Sequence, residues 1–136
     1  ETLSADQDHA QVLSVPLGAR LTRIQRVMRE ETRPVAYLMD TLSEDFLRPD
    51  QLSTNFKGSI LDFLLSRGDP LSSSRAAISA IGAPADVAKQ LQIQRGDVLL
   101  QFVSKLYAAN GKVLDYSSSY FIPGYFNFHV VRRVGS

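Results

Sequence analysis

The sequence has no cysteine, only two histidines, and a net charge of +1. Each shortage excludes something. Without cysteine there are no disulfides, thiolate metal sites or cysteine nucleophiles, which fits a reducing compartment. His9 and His129 stand far apart in the chain, the first on a predicted helix and the second on a predicted strand, and both read as solvated. The carboxylate pairs Glu30-Glu31 and Glu44-Asp45 have the look of turns and exposed helix starts, so no metal ligand set is expected. A charge near zero gives no pull toward nucleic acid or membrane. No apolar run approaches the roughly 20 residues of a membrane span. The opening "ETLSADQDHA" lacks the basic-then-apolar order of a signal peptide. It begins already in the approach to a helix, as a piece of a longer protein would. Phosphate loops, dinucleotide glycine fingerprints, zincin motifs and G-x-S-x-G elbows are missing, and the serine runs at 72–74 and 117–119 have no local histidine. No catalytic residue and no cofactor are expected.

What remains is an ordinary globular composition: 136 residues, 44% hydrophobic and 21% charged, enough for one domain over 1–136. "SADQDHAQVLSV" reads as a helix capped by Ser4, with Gln7 completing a capping box and Pro16 stopping it. "GARLTRIQRVMREETRPVAYLMDTL" reads as a hairpin turning near Glu31 to Arg33. A short helical turn is expected from Ser43, before Pro49. "GSILDFLLSRG" is a helix with Ser59 as its cap and Gly68 as its end. "LSSSRAAISAI" reads as a strand, and "APADVAKQLQI" as a third helix with Pro84 at its first turn. A second hairpin turns at Asn110-Gly111, and a last strand is expected from Phe126 to Val131.

This order contains a duplication. Laying His9–Leu21 on Val87–Leu99 matches Ala10 with Ala88, Leu13 with Leu91, Gly18 with Gly96 and Leu21 with Leu99. Two helix-plus-hairpin halves would join their strands into one antiparallel sheet covered by helices, an α+β domain. The duplication also decides how to read Arg20, Arg23, Arg26 and Arg29. On a helix they would form a basic stripe fit for nucleic acid. Their partner segment "LLQFVSKLY" alternates and is β-rich, so they belong to a strand, with Ile24, Arg26 and Met28 on one face.

In the segment from Gly111 to Val131, Val113, Asp115, Ser117, Ser119 and Phe121 share one strand face, and Tyr116 and Tyr120 lie on the other. A carboxylate among hydroxyls suits either a solvated sheet or the wall of a polar pocket.

Taken in order, "AQVLSVPLGARL", "IQRVMREETRPVAYL", "KGSILDFL" and "ADVAKQLQIQRGDVLLQFVSKLYAANGKVLDYSSSYF" resemble the UTRA domain, the effector-binding module of HutC-type GntR transcription regulators. The resemblance spans nearly the whole chain. It implies a mainly antiparallel sheet flanked by helices, like chorismate lyase, in a cytoplasmic homodimer. It further implies a small-metabolite effector that alters the DNA affinity of an N-terminal winged-helix domain, with no membrane contact and no DNA contact except through that domain. Carried over residue by residue, Arg26 matches the first of two strand arginines, and Met28 stands where the second would be. Leu38 replaces a glutamate and Phe121 a tyrosine. Asp115 supplies the late-strand carboxylate, and Ser59 matches a ligand-contacting serine. Arg75 is a further candidate for facing the pocket. Each has a plainer role available: Arg26 as a paired strand arginine, Ser59 as a cap, Arg75 in solvent. The three apolar replacements imply an effector less polar than a sugar phosphate, such as a small carboxylic acid held by Arg26. The Tyr116, Tyr120 and Ile122 face is expected to pack or to meet the second protomer. The competing readings are a chorismate lyase-like enzyme and a degenerate module that only dimerises, with direct nucleic-acid binding behind them.

Overall fold

Two long hairpins occupy the middle of the structure, a computed structural model that describes residues 1–52, 56 and 58–135. Strand β2 (Arg20–Glu30) turns through Glu31 into β3 (Arg33–Ser43), and β5 (Val98–Ala108) turns at Asn110-Gly111 into β6 (Val113–Phe121). β3 and β6 pair at the centre, with β1 (Thr2–Ser4) on one edge and β4 (Leu71–Gly82) on the other. Every pairing is antiparallel, giving the order β1-β2-β3-β6-β5-β4. The chain is therefore the α+β fold that its pattern predicts.

The duplication is visible at the level of single bonds. Helices α1 (Gln7–Leu13) and α3 (Ala85–Leu91) both end on a left-handed residue, Ser14 and Gln92. The amide of Ala5 donates to the carbonyl of Ala19, as Ala83 does to Asp97, each at 2.7 Å. Gly18 donates to Ala5 as Gly96 does to Ala83, and both glycines take positive φ, 83° and 91°, where a side chain would strain the backbone. Leu13 and Leu91 plug the same place in each half, and so do Leu21 and Leu99, all fully buried. The units are strand–helix–hairpin, β1-α1-β2-β3 and β4-α3-β5-β6.

The two sheet faces are covered differently. On one, Val87, Ala88 and Leu91 of α3 lie over Tyr37, Tyr120 and Leu99, and Leu13 of α1 lies over Leu21 and Val113. On the other face sits α2 (Ile60–Arg67), inserted between the halves, whose Ile60 and Leu64 pack with Leu42, Leu47 and Leu106. Ser59 caps α2 by accepting from the Asp62 amide at 3.3 Å, and Gly68 ends it, both as the sequence predicts. The connection into α2 makes a turn after Ser43 and a 3-10 turn at Pro49–Gln51.

Four expectations are corrected. Ser4 is in β1. The α1 cap is Asp6, which accepts from the His9 amide at 2.8 Å while His9 Nδ1 accepts from the Asp6 amide. His9 is thus part of a capping box and not a solvated bystander. Phe126 to Val131 form no strand. Phe126 and Phe128 stack at 5.7 Å and meet Phe121 and Phe102, so their alternation serves an aromatic tether without a ladder. A register shift between Leu106 and Tyr107 pairs Val113 with Tyr107, putting Val113 with α1 and away from Asp115. The Tyr116 and Tyr120 face meets α1 and α3 of the same chain, where the Tyr116 hydroxyl donates to Asp8 at 3.0 Å.

The packing of α2 is tested by adjacent leucines. Leu64 is fully buried and Leu65 is 55% exposed. Leu64→Ala should cost about 2–5 kcal/mol in urea denaturation, and Leu65→Ala no more than about 0.5 kcal/mol. Equal losses would show that α2 presents a different face.

Candidate functional site

On the α2 side the sheet is only partly covered, and the space left is a cavity of about 1040 Å³. Strand parity decides which residues reach it. Arg26 and Met28 of β2 alternate to the same side, as do Leu38 and Asp40 of β3 and Asp115 and Ser117 of β6. Cross-strand registry aligns them: Arg26 opposes Leu38, Asp40 opposes Ser117, and Ser117 opposes Ser104 of β5. β4 contributes Ser74 at the far side, and Phe56, Gly58, Ser59 and Ile60 form the wall at the start of α2.

The centre of the site is electrostatic. Arg26 Nη2 donates to Asp40 Oδ2 at 2.9 Å, with the two side chains 15% and 10% exposed. Nη1 donates to the Gly58 carbonyl, and the guanidinium carbon lies 5.6 Å from the Phe56 ring centroid. One arginine thereby ties β2, β3 and the approach to α2 together. Asp115 lies beside Asp40 and is 6% exposed. Burial pushes its carboxyl well above the usual carboxylate range, and the Asp40 charge and a hydrogen bond to Asp40 push it further. The Thr41 backbone and Arg26 act in the opposite direction. Asp115 Oδ1 has no hydrogen-bond partner among the described residues, and neither has Arg26 Nε.

Five of the seven residues singled out from sequence come together here: Arg26, Met28, Leu38, Ser59 and Asp115. Two do not. Arg75 is exposed and opposes Lys105, one residue out of phase with Ser74, which does line the cavity. Phe121 shares the Asp115 face but is taken up by the cluster of Phe102, Phe126 and Phe128. Arg26 is not a free handle for a ligand carboxylate, because Asp40 already holds it. Sequence reading missed Asp40, Ser74, Ser104 and Ser117 as site residues. Asp40 had a signal: it is the single charge in the apolar run "PVAYLMDTL", two residues from Leu38 and so on the same face. Among the described residues no cluster of three or more His, Cys, Asp or Glu could hold a metal, and no helix is long and apolar enough to cross a membrane.

The model of the UTRA domain family matches residues 1–127. The chain belongs to the UTRA family. No curated protein sequence matches it. Among solved structures, a GntR-family transcriptional regulator from Enterococcus faecalis V583 is 19% identical with a TM-score of 0.83, covering 97% of this chain and 95% of that one. The effector domain of PhnF from Mycobacterium smegmatis is also 19% identical, TM-score 0.86, with 98% of this chain and 83% of that one covered. Against the longer PhnF structure the TM-score is 0.88 at 18% identity, with 99% of this UTRA chain and 60% of that chain covered. These likenesses establish the shared fold.

The buried acid gives a pH test. Asp115 holds its proton more tightly in the folded chain than in the unfolded one. Between the unfolded and folded pKa values the native state carries the extra proton, so stability falls as pH rises through that window and levels off above it. Asp115→Asn mimics the protonated acid and should remove this loss. Relative to the variant, the wild type should lose about 1.4 kcal/mol per pH unit inside the window. Urea denaturation from about pH 4 to about pH 8 measures it, and parallel curves for the two proteins would place Asp115 in a wetter site.

Proposed function

We propose that this chain senses a small metabolite for a bacterial transcription regulator of the GntR/HutC type. Ligand in the cavity changes the operator affinity of an attached winged-helix domain in the cytoplasm. The observation that carries this reading is the cavity itself: a large cleft between sheet and α2 with a buried floor whose polar atoms are incompletely partnered. Unpaired buried polar groups are costly, and a ligand that supplies their partners recovers that cost. The family and the regulator structures that share the fold support the same reading. Operator contact belongs to the winged-helix domain. In this chain Arg20 pairs with Glu44, Arg26 pairs with Asp40, and the strand arginines divide between two faces without forming a basic stripe.

A lyase of the chorismate type needs free cations for two substrate carboxylates. Arg26 is engaged by Asp40, and Arg29, the other arginine lining the cavity, is exposed. The sensing role fits these residues better than that chemistry.

Dimerisation is the second part of the reading, and β4 supports it. Its outer edge is unpaired, residues 72–80 are exposed on both faces, and Ile78 is 51% exposed. Soluble proteins rarely leave such an edge open, and a second copy of the chain would cover it.

Two measurements test the proposal. A thermal-shift screen of metabolites should find a ligand that stabilises the chain by about 2.7 kcal/mol at a hundredfold excess over its Kd. Ser117→Leu, which pushes a branched apolar side chain into the cavity opposite Asp40, should abolish that response while the variant still melts cooperatively. A ligand that stabilises both proteins equally binds elsewhere. Light scattering should give a dimer for the wild type and a monomer for Ile78→Asp. A wild-type monomer at micromolar concentration removes the dimer from the reading.

A further inference from the structure

Three ionisable groups meet at the cavity floor, and their charges do not balance. Arg26 of β2 brings one guanidinium, while Asp40 of β3 and Asp115 of β6 bring two carboxyl groups. The guanidinium is committed to Asp40 and to the Gly58 carbonyl. Asp115 is 6% exposed, lines the cavity, and keeps Oδ1 without a partner among the described residues. Among the described residues, the other elements around it offer no titratable group at the floor. β5 presents Ser104 and Leu106, β4 presents Ser74, and α2 presents Ile60 with its cap Ser59. Arg29 and Glu31 also line the cavity but are exposed, one of each sign.

Buried charges persist only when matched. Two ionised carboxylates against one arginine leave one negative charge over, so the empty floor is neutral when a proton sits between Asp115 and Asp40. Among the described residues of the buried floor a ligand anion meets no free cation, so it must pull Arg26 away from Asp40 or stay out at Arg29 on the exposed rim. A neutral ligand leaves the proton where it is. A ligand ammonium can replace the proton: its N–H supplies the donor that Asp115 Oδ1 lacks, and the charges again sum to zero. We propose that the cavity recognises a cationic amine seated against Asp115 and Asp40, which enters in exchange for the proton they share. This rests on reading the cavity as the effector site, and it names the effector's class. The exchange balances. The amine arrives as R–NH3+, Asp115 goes from carboxylic acid to carboxylate, one proton leaves to solvent, and no bond in the ligand changes. Leu38, Leu106 and Ile60 line the space beside the floor and suit a hydrocarbon body on that amine.

The test uses matched probes on the whole chain: phenethylamine, 2-phenylethanol and 3-phenylpropanoate, then butylamine, butanol and pentanoate. Each amine should bind about ten- to a hundredfold more tightly than its alcohol or acid counterpart. Calorimetry in phosphate and in Tris should report release of one proton per amine bound. The affinity should rise about tenfold per pH unit while Asp115 starts out protonated. Asp115→Asn should lose both the amine preference and the proton release. The proton count on the wild type stands even if that variant does not fold. Tighter binding of the acids overturns the amine class and leaves the sensor reading in place. Amine binding without proton release overturns the exchange. If no amine binds at roughly millimolar concentration, the amine class fails, and the metabolite screen decides the sensor reading separately.

Discussion

The guanidinium of Arg26 holds three parts of the molecule at one point: its own strand, Asp40 on the next, and the Gly58 carbonyl just ahead of the α2 cap. An ion pair this far from water is not a strong source of stability, because desolvating both partners offsets much of their attraction. Its effect is positional. With Arg26 bound to both, the floor of the cavity and the N-terminus of α2 are fixed relative to each other. Asp115, buried beside that pair, holds its proton more tightly than an exposed carboxyl, first through burial and then through the Asp40 charge.

Around that point the fold is nearly a repeat of itself. Two strand–helix–hairpin units, matched down to the left-handed helix ends and the glycines that follow, meet along β3 and β6. Both repeat helices fall on the same face and close it. The opposite face is left to α2, which belongs to neither repeat and covers only part of the sheet. The cavity is therefore a consequence of the duplication. Two equal halves make a symmetric platform, and the insertion between them supplies the single asymmetric wall.

Local signals were legible in the sequence, and non-local ones were not. The hairpins, the α2 cap and the duplication each depend on residues a few positions apart, or on patterns that recur. Alternation along one strand correctly put Arg26 with Met28, and Asp115 with Ser117. What alternation cannot supply is the phase of one strand against another. Arg75 was kept as a pocket candidate beside its solvent role, and Ser74 was overlooked, because their parity depends on the pairing of β4 with β5, which carries a register shift between Leu71 and Ser73. Val113 was placed beside Asp115 because a bulge at Leu106 and Tyr107 leaves no mark in its own sequence. Phe126 to Val131 had the alternation of a strand, but aromatic packing against Phe102 and Phe121 absorbed the pattern.

The family resemblance pointed to Arg26 as a ligand handle, and the structure shows why that role does not transfer unchanged. In a site with a second arginine, one guanidinium can neutralise the protein's acids while the other meets an anion. Here Met28 stands at that second position and the acids number two, so the surplus is negative. On the amine reading proposed above, methionine at that position leaves the floor short of one positive charge. Because Arg26 also grips Gly58, any ligand that alters the Asp40–Asp115 pair acts on the contact that positions α2. The chemistry of the floor and the placement of the one asymmetric helix are therefore coupled through a single side chain.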